Sequence, residues 1–196
     1  MKPSTPQIRK LINEAINNLA PLFEIPAQDI EKASQFTIKR ILSTWPYQDH
    51  SKNVPAYSYL DNFFFFPLRN SDLKLFSEMH PNLDKQTIKE IFCIDSKFTI
   101  YHEAGHRLHS FVNPQIVEGF KQFLKTGKRP EHHHQLCEVV AEYGNKILNP
   151  RDYSLSPYKY CYEDILAIFN KFGASFLPRL ARMSLDEAIE LKLFKH

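Results

Sequence analysis

The segment HEAGH, placing His102, Glu103 and His106 within FTIYHEAGHRLHS (Phe98–Ser110), constrains this chain more than any other feature. Two histidines four residues apart share a face only on a helix, where they lie about 6 Å apart along the axis. The spacing therefore predicts a helix over roughly Phe98–Phe111 whose two imidazoles converge on one ion. Zinc suits such a pair, because it takes imidazole nitrogen in tetrahedral geometry at about 2.0–2.1 Å. Glu103 is turned by about 100° from the first histidine, where it can reach a water beside the ion without binding the ion itself. Gly105 is costly inside a helix by about 1 kcal/mol relative to alanine, which implies a neighbouring element in close approach.

Two histidines leave a zinc ion short of ligands, and the third ligand distinguishes the known patterns. The longer HExxHxxGxxH pattern requires Gly at 109 and His at 112, where this chain has His109 and Val112. In the alternative pattern the third ligand is a glutamate on a later helix. HHHQLCEVVAEYGNKILNP offers Glu138 and Glu142, four residues apart on one helical face among apolar Val139, Val140, Ala141 and Ile147. Glu138 is the expected ligand. Glu142 is the alternative ligand, or the group that fixes a ligand histidine through its other ring nitrogen. Two histidines and one carboxylate would leave a fourth position open for water.

The rest of the chain reads as α+β, mainly helical, with a small antiparallel or mixed sheet and the HExxH helix packed on the Glu-bearing helix. Ile8, Leu11, Ile12, Ala15, Ile16 and Leu19 recur at helical spacing up to Pro21. Pro26 opens a second helix expected to run to about Ile41, and Trp45–Tyr57 reads as a loop. YSYLDNFFFFPLRN and Ile88–Ile94 are β-prone, and the four phenylalanines Phe63–Phe66 are expected to be buried. Further helices are expected over roughly Gln115–Lys125, His132–Leu148, Tyr162–Phe172 and Leu185–Leu193, the last opened by a capping box from Ser184 to Glu187. Residues 1–45 form an N-terminal helical segment packed on a single unit of 46–196.

Composition matters mainly for what it excludes. The 196 residues carry a net charge of +3 with no Lys/Arg block, which argues against direct nucleic-acid binding. No apolar run approaches the roughly 20 residues of a membrane span. Cys93, Cys137 and Cys161 form neither a disulfide framework nor a CxxC pair, and the N-terminus lacks an apolar leader, so the cytoplasm is expected. Of nine histidines, the tandem His132, His133 and His134 face different ways at an expected polar helix start. His109 is expected to pack or lie on the surface. His50, His80 and His196 are assigned no role.

FTIYHEAGH, CEVVAEYGNKILNP and, more weakly, AIFNKFGASFLPRLARM make the C-terminal half resemble the ImmA/IrrE-type zinc metallopeptidase family, which are small gluzincins. The resemblance implies His102, His106 and Glu138 as zinc ligands and Glu103 as general base. It also implies hydrolysis of peptide bonds in a peptide or protein substrate, such as a regulatory protein. An oxyanion-stabilising donor is needed in such chemistry, and His132, Tyr143 and Tyr153 are candidates. The alternative expectation is a non-catalytic regulatory or interaction protein with a structural or vestigial zinc site, acting through its N-terminal helices, Phe63–Phe66 and Arg179–Arg182.

Overall fold

The structure, a computed structural model, describes residues 5–41, 56–60, 62–67, 78, 81–82, 97–128, 130–149 and 159–194. Helix α1 (Thr5–Leu19) turns Ile8, Ile12, Ala15, Ile16 and Leu19 inward, each fully buried, at the 3- and 4-residue spacing of one helical face. Burial of each large aliphatic side chain contributes about 1.5–3 kcal/mol before the entropy of ordering is charged against it. A short 3-10 turn (Ala20–Phe23) holds Pro21 and ends at Glu24, which takes the left-handed conformation.

Helix α2 (Ala27–Ala33) is shorter than the sequence suggests, and the difference is a correction. The expected second half, Thr37–Ile41, is instead strand β1, paired in parallel with β3 (Phe63–Pro67) in the register Thr37 to Phe63. Two effects stop the helix. The Arg107 guanidinium donates to the carbonyls of Ala33 and Lys32 at 2.9 and 3.1 Å, placing a cation at the helix C-terminus. Beyond it, β-branched Thr37 and Ile38 meet a phenylalanine strand.

Strand β2 (Ala56–Ser58) pairs antiparallel with β3, so the mixed sheet has the order β1-β3-β2 with β2 at one edge. Ala56, expected in a loop, belongs to this strand together with Tyr57, where the expected loop meets the β-prone segment. Phe64 is buried against Phe36 and Tyr57, with ring centroids 4.8 and 5.0 Å away. The side chains of Phe63, Phe65 and Phe66, and the stretch Ile88–Ile94, lie outside the described residues.

The C-terminal helices follow the expected plan: α3 (Lys97–Val112), α4 (Gln115–Thr126), α5 (His133–Leu148), α6 (Lys159–Phe172), α7 (Leu177–Arg182) and α8 (Leu185–Glu190). Helix α7 and the 3-10 turn before it (Ala174–Phe176) are additions to the sequence reading. The Ser184 hydroxyl accepts the Glu187 N–H at 3.1 Å, capping α8. Helix α3 is central: it packs on α1 and on α5, and Thr99–Ser110 is buried throughout. A Cβ on Gly105 would stand 2.8 Å from the Ala141 Cα and carbonyl oxygen, so glycine lets the backbones of α3 and α5 nearly touch. Among the described residues, no helix is long and apolar enough to cross a membrane.

Candidate metal centre

Besides the neutral His109, the buried helix α3 carries His102, Glu103, His106 and Arg107. Each of these four has a partner, as groups that can bear charge require, because an unpaired buried charge costs several kcal/mol. Arg107 is satisfied by α2. The other three meet α5 and strand β2. His102 Nε2 and His106 Nε2 face each other 3.0 Å apart. Glu138 reaches into the same space from α5, its Oε2 3.2 Å from His102 Nε2 and its Oε1 3.5 Å from His106 Nε2. A tetrahedral ion with ligands at about 2.0–2.1 Å sets neighbouring donors about 3.3 Å apart. The three separations bracket that value, and the buried group His102, His106 and Glu138 can hold a metal ion.

The groups behind the donors have separate tasks. Glu142, one turn beyond Glu138, places Oε2 2.6 Å from His102 Nδ1, on the side of the ring away from the converging nitrogens. Asn145 Nδ2 donates to the same carboxylate oxygen at 3.4 Å. The Glu103 carboxylate accepts the backbone N–H of Tyr57 at 2.7 Å, so the edge strand holds it. Tyr59, just past β2, places its hydroxyl 2.6 Å from His106 Nδ1.

Electrostatics make this a place for positive charge. Burial works against a charged His102, but hydrogen bonds to Glu138 and Glu142 outweigh it and hold its pKa well above the ordinary histidine value. Burial would raise Glu138, yet the imidazoles of His106 and His102 hold it well below the carboxylate range. Burial pushes His106 down and lifts Glu103 to about 8. Two carboxylates thus retain a proton on His102, where a cation would take over the same role.

Other predicted residues go elsewhere. Tyr143 lies five residues past Glu138, about 140° around the helix; its hydroxyl donates to the Gly173 carbonyl at 2.7 Å and its ring meets Phe169. His132, in the left-handed conformation before α5, pairs with Gln135 at 2.9 Å and stacks on Phe194. The structure thus directs these two oxyanion candidates toward other partners, and Tyr153 lies outside the described residues. The tandem histidines diverge as their spacing requires. His133 is buried rather than part of a polar start, with Nε2 donating to the Ile116 carbonyl at 2.8 Å. His134 is half exposed, 3.5 Å from Glu138 Oε1. His109 is fully buried. His50, His80, His196 and Cys93 lie outside the described residues.

Sequence reasoning did not find Tyr57, Tyr59 or Asn145. The two tyrosines sit more than 40 positions from the groups they hold, and no local periodicity marks such a contact. Asn145, three residues past Glu142, was open to a helical-spacing argument. Comparison with known protein families, with curated proteins and with solved structures gives no match to this chain.

Proposed function

We propose that the chain is a metallopeptidase of gluzincin type, hydrolysing peptide bonds in a peptide or protein substrate with zinc held by His102, His106 and Glu138. The observation that carries this reading is one buried space containing three convergent donors and, on the next residue of the same helix, a carboxylate with a separate anchor. The donor set of two imidazoles and one carboxylate is the kind used by zinc hydrolases, and it supports zinc over the harder, oxygen-seeking cations. Zinc, when bound, polarises a carbonyl group and lowers the pKa of water to near 7.

The chain's own residues supply the remaining parts. Glu138 and the two Nε2 atoms fix the ion, and Glu142 keeps the His102 proton on Nδ1, leaving the Nε2 lone pair free to bind. Glu103, held through Oε2 by the Tyr57 N–H, takes the proton from water and returns it to the leaving amine. Burial favours the protonated acid there, and a divalent cation nearby counters that preference, so the base becomes competent when the site is loaded. The resemblance of FTIYHEAGH and CEVVAEYGNKILNP to the ImmA/IrrE-type peptidases supports a regulatory protein as the substrate.

The test is Glu103→Gln, assayed with a peptide library alongside zinc content by atomic absorption. The expected outcome is loss of hydrolysis by at least about 100-fold, the usual scale of a general base, with zinc retained. Undiminished hydrolysis would sink the mechanism.

A further inference from the structure

The two histidines of the centre are held from behind by different chemistry. His102 Nδ1 meets a carboxylate, Glu142 Oε2, at 2.6 Å, and His106 Nδ1 meets a phenolic hydroxyl, Tyr59 Oη, at the same distance. Because both Nε2 atoms face Glu138, a metal there requires their lone pairs, and the ring proton of each must sit on Nδ1. For His106 that proton then points at Tyr59, which accepts it.

We infer that Tyr59 is a positioning residue for the metal centre: its hydroxyl fixes the tautomer and the ring plane of His106, so the β2–β3 hairpin completes a site otherwise built by two helices. This rests on the metal-centre reading given above. The geometry supports it in three ways. The Tyr59 ring is itself immobilised, stacked on Phe120 of α4 at 4.6 Å with an 18° interplanar angle and edge-on to His106 and His109. It is buried, so water does not readily replace it at Nδ1. Its ring also meets, edge-on at 5.5 Å, that of Tyr57, two residues earlier, whose backbone N–H holds Glu103. Strand β2 and the turn after it therefore hold both the second ligand and the base.

A neutral acceptor also makes chemical sense at this position. Glu138 and Glu142 already place two buried carboxylates on these rings, and a further acid beside His106 would add another buried charge to desolvate. A hydroxyl orients the imidazole without adding charge.

The test is Tyr59→Phe, which removes the hydroxyl and keeps the ring on Phe120. Zinc affinity is measured by competition with a chromophoric chelator, next to wild type and to His106→Ala. Loss of such an orienting partner typically weakens metal binding 10- to 100-fold. We expect a fall in that range with the melting temperature of the metal-free protein unchanged. A second readout needs no variant: long-range 1H–15N spectra of the zinc-loaded wild type should show the His106 proton on Nδ1, protected from exchange. Equal zinc affinity in Tyr59→Phe, or a His106 Nδ1 without that protected proton, overturns the inference and leaves the metal centre standing. Wild-type protein that does not bind zinc, or binds it as well with His106→Ala, overturns the metal centre instead.

Discussion

Among the described residues, His109 is one whose chemistry fits its surroundings poorly. It is fully buried, and neither ring nitrogen has a hydrogen-bond partner. Burial, assisted by His106 and His133, lowers its pKa to about 3. The sign of its effect on stability follows from comparison with the unfolded chain, where an ordinary histidine titrates near 6.5. Between pH 6.5 and 3 the unfolded state binds a proton that the folded state refuses, so folding is penalised increasingly as the pH falls. The penalty grows to a few kcal/mol at the acid end, on the order of 1.4 kcal/mol per pH unit. His109→Leu should therefore raise stability at pH 7 by about 1–3 kcal/mol, through removal of two unsatisfied buried atoms. It should also flatten the acid limb of a urea-unfolding series collected from pH 7 to 4. A variant with unchanged midpoint and unchanged pH slope would contradict this account.

The helix pair α3 and α5 is where packing and chemistry meet, and Gly105 is the test of that coupling. The methyl of Gly105→Ala has nowhere to go, because a Cβ there is 2.8 Å from backbone atoms of Ala141 rather than from a flexible side chain. Alanine's better helix propensity offsets about 1 kcal/mol, and overpacking costs typically 1–3 kcal/mol. The helices must separate, and Glu138 moves away from both Nε2 atoms. We expect a lower melting temperature together with weaker zinc binding; an intact affinity would show that the donors do not depend on this contact.

The same pair shows what was legible in the sequence. Period 3.6 located α1, α3 and α5, and the four-residue spacings put His102 with His106 and Glu138 with Glu142 on common faces. The cost of glycine inside a helix pointed to a close neighbour for Gly105, although not to which one. Thr37–Ile41 departs from the expected helix because Phe36, Thr37, Arg40 and Ile41 suit a helix as well as a strand, and only pairing with Phe63–Pro67 decides between them. Tyr59 and Tyr57 were invisible for a related reason: they reach the centre through the fold of a hairpin, not through spacing along the chain.

At the scale of the whole molecule, the proposed centre joins parts that are distant in sequence. Its donors lie on α3 and α5, its supports on β2 and the turn after it, and α3 is packed on α1. A ligand that binds only the folded state stabilises it by RT ln(1 + [L]/Kd), about 4 kcal/mol at a thousandfold excess over Kd. Zinc should thus raise the melting temperature measurably in calorimetry, and a chelator should reverse the shift. A melting temperature indifferent to zinc would contradict a centre built into the core.

The near-touch of α3 and α5 at Gly105 and Ala141 also acts as a caliper. Backbones in contact cannot approach further, and the buried side chains around them resist separation, so the gap between the imidazoles and Glu138 has a set width. Donors 3.0–3.5 Å apart would suit a small ion. Calcium, with oxygen ligands at about 2.3–2.6 Å and a need for six to eight of them, would have to spread the helices against their own packing. Discrimination between cations would then reside in a missing methyl group one residue before the second histidine, at a position that never touches the ion.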